Sequence, residues 1–186
     1  MSVDWDSLIT AAWRVRERAY APYSRYLVGA ALLADDGRVF TGANVENASY
    51  GLCLCAERSA IGTAIAAGAR RFVAIAVVTG GAQPGTPCGM CRQVLAEFAP
   101  SFAVRCIAES GATILSSTGD LLPLAFTPAA LGVDPSADPA RSTLVLGTTE
   151  ERARAKAADR AARAPALERA SVDVTQIDGD DDEGRR

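Results

Sequence analysis

Two apolar, strand-like runs, Val28 to Ala34 and Val39 to Asn44, stand on either side of Asp35-Asp36-Gly37, and helical and strand-like periods alternate after them. That order constrains the fold more than any other feature. A short Asp-Gly turn between two apolar runs reads as a β-hairpin. Ahead of it, Trp5, Leu8, Ile9, Ala12 and Trp13 recur at helical spacing behind caps at Asp4 or Asp6, with Pro22 marking the exit. Behind it, Ala56 to Ala67 reads as a helix ended by Gly68, Phe72 to Val78 as a buried strand, and Cys88 to Phe98 as a helix stopped by Pro100. Ala103 to Ala108 and Ala112 to Ser116 supply two more strands. Helices that alternate with strands behind a hairpin predict a mixed five-stranded sheet in a three-layer α/β/α sandwich.

The pattern weakens near Val133, where Pro, Ala, Arg and Asp take over. Residues 1–132 are therefore expected to form the folded domain, and 133–186 a disordered tail with an exposed helix from Glu150 to Arg163 and an acidic run from Asp178 to Glu183. A net charge of −3 over 186 residues gives no basic surface for a phosphate backbone, so nucleic acid is not an expected partner. No apolar run is long enough to span a bilayer, and the acidic start lacks the pattern of a signal peptide. Neither a membrane nor secretion is expected.

The chain has no His, which removes Ser-His and Cys-His catalysis and every His-ligated metal site. It has five Cys, an odd number that together with the Cys88-x-x-Cys91 spacing favours reduced thiols in the cytoplasm. Cys55 opens one predicted helix and Cys88 with Cys91 opens another. Three thiolates from two helix starts leave the fourth tetrahedral position of a zinc ion for water, which is the arrangement of a catalytic site. Glu57, two residues past Cys55, is placed to move protons without being a ligand. A Cys-x-x-Cys alone also suits a redox pair or a structural zinc knot, and a knot needs a fourth ligand. Cys53, pointing away from Cys55 along an extended chain, and Cys106, inside an apolar strand, instead read as small core residues.

These residues belong to several separate blocks. They are Ala21-Pro22-Tyr23-Ser24 with Val28-Gly29-Ala30-Ala31, Asn44-Val45-Glu46-Asn47-Ala48-Ser49-Tyr50, Cys55-Ala56-Glu57-Arg58, Pro87-Cys88-Gly89-Met90-Cys91-Arg92-Gln93, and Leu121-Leu122-Pro123-Leu124-Ala125-Phe126. On them, from Tyr20 to Pro128, the chain resembles the small homotetrameric cytidine deaminases. The resemblance implies one zinc ion per subunit on Cys55, Cys88 and Cys91, a free pyrimidine nucleoside as substrate, and hydrolysis of its 4-amino group with Glu57 as base and then acid. It also implies that Arg58 and Arg92 draw negative charge from the thiolates, which with the helix N-termini restores acidity to the water. Substrate contacts are implied at Asn44 and Glu46 for the ribose, at Tyr26 for the base, at Ala56, and at Phe126 reaching across from a neighbouring subunit. Tyr26 stands where the family usually has Phe, and Leu27 where Pro is common. A buried Glu46 without its sugar would cost about 1–3 kcal/mol, which disfavours the free base cytosine.

Three other readings use some of the same residues. A deaminase of another aminopyrimidine, such as blasticidin S, shares the metal chemistry, but Asn44 with Glu46 argues for ribose. A nucleic-acid editing enzyme needs a basic stripe that this chain lacks. A binding module with purely structural zinc is the reading from another class, and zinc content does not separate it from an enzyme.

Overall fold

The protein is described from a computed structural model over residues 2–98 and 101–132. The expectations at Pro100 and over 133–186, the tail helix and acidic run included, lie outside the described residues. Helix α1 spans Trp5–Arg16, the hairpin strands β1 and β2 span Val28–Ala34 and Val39–Ala43, and α2 spans Ala56–Ala66. Strand β3 covers Phe72–Thr79, α3 Gly89–Phe98, β4 Ala103–Ala108, β5 Thr113–Ser117 and the short α4 Thr118–Leu121.

The strands form one five-stranded sheet in the order β2-β1-β3-β4-β5. Strands β2 and β3 both pair antiparallel with β1, and β4 runs parallel to β3 before β5 returns antiparallel. The sheet is mixed, as expected. Because β2 and β3 run the same way, both end on one edge of the sheet, and α2 and α3 follow them in the chain. Two helix N-termini are thereby brought to one place, where their unpaired N–H groups favour negative charge.

Strand β3 is buried along nearly its whole length, and from Ala74 onward its period of two divides its side chains between the two faces, while a register shift at Ala34 turns Phe72 to the same face as Ile75 and Val77. Phe72, Ile75 and Val77 join the core under α2 and α3, with Leu32, Ile61, Leu95 and Val104. Ala74, Ala76 and Val78 face α1 and pack with Leu8, Ala12 and Ala31. Small side chains on that face let α1 lie close. A Cβ at Gly29 would stand 2.8 Å from Arg16 Cβ and 2.9 Å from Arg16 N. On the opposite face, a Cβ at Gly42 of β2 would stand 2.5 Å from the Ala56 carbonyl and meet the Ala60 amide. Gly42 therefore sets how closely the first turn of α2 approaches the sheet.

Gly42→Ala is expected to cost about 1–3 kcal/mol through overpacking against helix backbone. The chain should melt at a lower temperature and bind its metal less tightly. An unchanged melting temperature and metal affinity would show that α2 can retreat freely.

Element boundaries differ from expectation in ways with local causes. Asp4 alone caps α1, its carboxylate accepting from Ser7 N at 3.1 Å, while Asp6 sits inside the first turn. Strand β2 ends at Ala43 because the Asn44 side chain turns to the start of β1, Oδ1 accepting from Val28 N at 2.8 Å. Helix α4 was not expected; Ser117 and Asp120 close it with a reciprocal capping box. Cys106 is buried as expected, but Cys53 is not a core residue. It lies half-buried, its sulfur accepting from Asn47 N at 3.3 Å.

Candidate active site

Cys55 is the residue before α2 and keeps extended backbone (φ −72°, ψ 155°), so its side chain stands at the helix mouth. Cys88 precedes α3 and Cys91 is the third residue within it. One helical turn separates them, which directs both sulfurs to the same side. The three sulfurs all lie within 4.8 Å of one another, with Cys55 Sγ and Cys88 Sγ 3.8 Å apart. A tetrahedral ion with bonds of about 2.3 Å to sulfur requires an S–S edge of about 3.8 Å. The donors present therefore fit zinc in spacing and in kind, and they are the one such cluster of three among the described residues.

The neighbouring thiols shift one another's protonation. A hydrogen bond from the Cys91 thiol, joined by the Arg58 guanidinium and Cys88, lowers the Cys55 pKa to about 5. The same bond to Cys55, together with burial and the Glu57 charge, holds the Cys91 proton well above the usual thiol range. A cation entering the site must displace such protons, so its affinity falls as pH falls.

Glu57 occupies the first turn of α2 and is only 4% exposed. Burial, reinforced by the Cys55 charge, raises its carboxyl above the ordinary range. It lines a cavity of about 350 Å³ together with Cys55, Cys88 and Ala56. Tyr26, Asn44 and Glu46 line the same cavity, so eight expected residues meet at one place if Cys91 behind its wall is counted.

The two arginines part company. Arg58 Nη2 lies 3.6 Å from Cys55 Sγ and donates to the Cys53 carbonyl at 2.7 Å, which places its charge against the sulfur. Arg92 instead donates to the Pro87 carbonyl at 2.7 Å, to Leu121 O at 3.2 Å and to Thr86 Oγ1 at 3.2 Å. It braces the loop that delivers Cys88. Phe126 is not in the cavity of its own chain; the residue is 61% exposed and its carbonyl accepts from Gln93 Nε2 at 2.6 Å.

Glu46 differs from expectation, being half-buried where a buried carboxylate was anticipated. One oxygen accepts from Tyr23 N at 2.9 Å and Ser24 N at 3.2 Å, and the other accepts from Ser24 Oγ. These donors, the Ser24 hydroxyl foremost, lower its pKa. A carboxylate already served by three donors is not orphaned when a sugar is absent, so the cost anticipated against cytosine loses its basis.

Sequence reasoning did not find Val28, Val77, Thr79 and Gly85, which also line the cavity. Thr79 carried a signal, as a polar residue closing an apolar strand. It is 2% exposed, and its hydroxyl accepts from Gly85 N at 3.0 Å. A Cβ on Gly85 would stand 2.8 Å from the Tyr26 hydroxyl, so that glycine makes room for the phenol.

Residues 3–106 match the family model for the cytidine and deoxycytidylate deaminase zinc-binding region. A cytidine deaminase of Halalkalibacterium halodurans is 51% identical over 126 residues, covering 67% of this chain and 96% of that one. Among solved structures, cytidine deaminase from Burkholderia pseudomallei superposes with a TM-score of 0.65 at 54% identity, over 67% of this chain and 100% of its own. The enzyme from Mycobacterium leprae does so with a TM-score of 0.58 at 45% identity, over 66% and 99%. Matched by that family model over more than half its length, and by relatives over nearly their full length, the chain belongs to the cytidine and deoxycytidylate deaminase family.

Proposed function

We propose that this chain hydrolyses the 4-amino group of free cytidine and deoxycytidine, with Cys55, Cys88 and Cys91 holding zinc and Glu57 moving the protons. The reading rests on one observation: a buried carboxyl and three convergent thiols line or adjoin a cavity that also carries Asn44 and Glu46. The products are uridine or deoxyuridine and ammonia, a step of pyrimidine salvage. Zinc, when bound, polarises a water molecule for attack on C4 of the base. Glu57 accepts one proton from that water and passes it to ring N3. It then carries the second proton to the departing amine, so one carboxyl acts as base and as acid.

Arg58 draws charge from Cys55, and Arg92 serves by fixing the Cys88 loop. Asn44 keeps one N–H beyond its bond to Tyr26 O, and the ionised Glu46 keeps one lone pair, on Oε1, for a ribose hydroxyl. Tyr26 stacks on the base, and Ala56 lies against it at the helix mouth. Phe126 completes the pocket of a neighbouring copy, and the assembly is a homotetramer. The apolar side chains left exposed on one chain, among them Tyr50, Leu52 and Leu124, support an assembled state. The free thiols suit the cytoplasm, and no helix among the described residues is long and apolar enough to cross a membrane.

The ionised Glu46 repels a phosphate brought to the place of the ribose hydroxyl it serves, so nucleosides are preferred to nucleotides. Ultraviolet assay of the zinc-loaded chain should show turnover of cytidine and deoxycytidine, with deoxycytidine monophosphate poorer by roughly 10²-fold in kcat/KM. Glu46→Gln should narrow that gap. Turnover of blasticidin S without turnover of cytidine would refute the reading.

A further inference from the structure

We infer that Arg16, which does not line the cavity, positions Tyr26 for the substrate by holding the carbonyl of Leu27. The inference rests on the reading that Tyr26 stacks on the base. Between α1 and β1 the chain crosses the mouth of the site, and it turns there through Arg25 in the left-handed region (φ 58°). A non-glycine residue held in that region depends on its surroundings to keep it there. The surroundings are two side chains that grip three consecutive residues. Asn44 Nδ2 donates to Tyr26 O at 2.9 Å, Arg16 Nε donates to Leu27 O at 3.0 Å, and Asn44 Oδ1 accepts from Val28 N at 2.8 Å.

Arg16 is a fixed post from which to hold a carbonyl. It ends α1, its Cβ lies against the bare Cα of Gly29, and its guanidinium carbon sits 5.2 Å from the centroid of the Trp13 ring. Its bond to Leu27 O is half-buried and donated by a charged group, the stronger kind of hydrogen bond. Tyr26 is the adjoining residue, its own N donating to Ser24 Oγ at 2.9 Å, so rotation of the Leu27 peptide moves the ring that forms the cavity wall.

Stacking on the base contributes alike to bound substrate and to the transition state, so losing it raises KM and spares kcat. Two neutral variants isolate the bond. Arg16→Gln places an amide N–H where Nε stood, and Arg16→Met places a methyl there. Against wild type, Arg16→Gln is expected to keep the cytidine KM within about two-fold. Arg16→Met should raise KM about ten-fold, with kcat within about two-fold and zinc content unchanged. Equal KM in the two variants, or a loss carried by kcat, overturns the inference. Tyr26→Ala in the same assay separates the two levels. A raised KM there without one in Arg16→Met overturns the role of Arg16 alone, whereas no rise in Tyr26→Ala overturns the stacking reading and this inference with it. If Arg16→Met does not fold, Arg16→Ala supplies the arm without a donor.

Discussion

Glu57→Gln is expected to lower kcat for cytidine by roughly 10⁴-fold while the chain keeps its zinc and its fold. The magnitude follows from what the carboxyl does. It moves two protons in one turnover, and an amide of the same shape moves none. Retention of the metal follows from geometry, because Glu57 is not among the three convergent donors. The fold should even gain in the metal-free state. Burial and the Cys55 charge raise the Glu57 pKa, so the folded chain holds this proton more tightly than the unfolded chain does. That stabilising contribution is complete below the ordinary carboxyl pKa and is lost as pH rises through the raised value. Metal-free Glu57→Gln is therefore expected to lose less thermal stability than metal-free wild type as pH rises above the ordinary carboxyl range. Wild-type turnover by the variant, followed by ultraviolet absorbance, would remove Glu57 from its role.

The second large effect is expected from Cys91→Ala. Zinc bound by thiolates is held by about 10–16 kcal/mol, and one donor's share of that is about 3–5 kcal/mol, or 10²–10⁴-fold in affinity. Metal analysis after dialysis against a weak chelator should find the variant nearly free of zinc, with cytidine turnover lost in proportion. Cys53→Ala is the control. Its sulfur is engaged by Asn47 N and lies outside the cluster, so zinc content should stay at one per chain. Loss of zinc in Cys53→Ala with retention in Cys91→Ala would mean that the donor set has been misassigned.

Much of this was legible before any coordinates, because the signals are local. The Asp35-Asp36-Gly37 turn, the alanines of α2 and the unbroken apolar run of β3 each specify their own element, and Gly37 takes the positive φ of 87° that the turn requires. The thiol cluster was legible for a related reason. Cysteines at helix starts can be read from spacing, and the sheet order brings those two starts together. What could not be read was contact between residues distant in sequence. Nothing at Arg16 announces a bond to Leu27, and nothing at Gly42 announces the backbone of α2 pressed against it. Glu46 shows the same limit in reverse. Its carboxylate looked like an orphan awaiting a sugar, because Tyr23 and Ser24, more than twenty positions earlier, fold back to serve it.

The chemistry proposed for this site needs a metal held by three sulfurs with one place left for solvent. Zinc-edge X-ray absorption of the loaded chain tests that most directly. Three sulfur neighbours at about 2.3 Å and one lighter neighbour at about 2.0 Å are the result expected. Four sulfurs, with no lighter atom and none exchangeable, would make the site structural and contradict it.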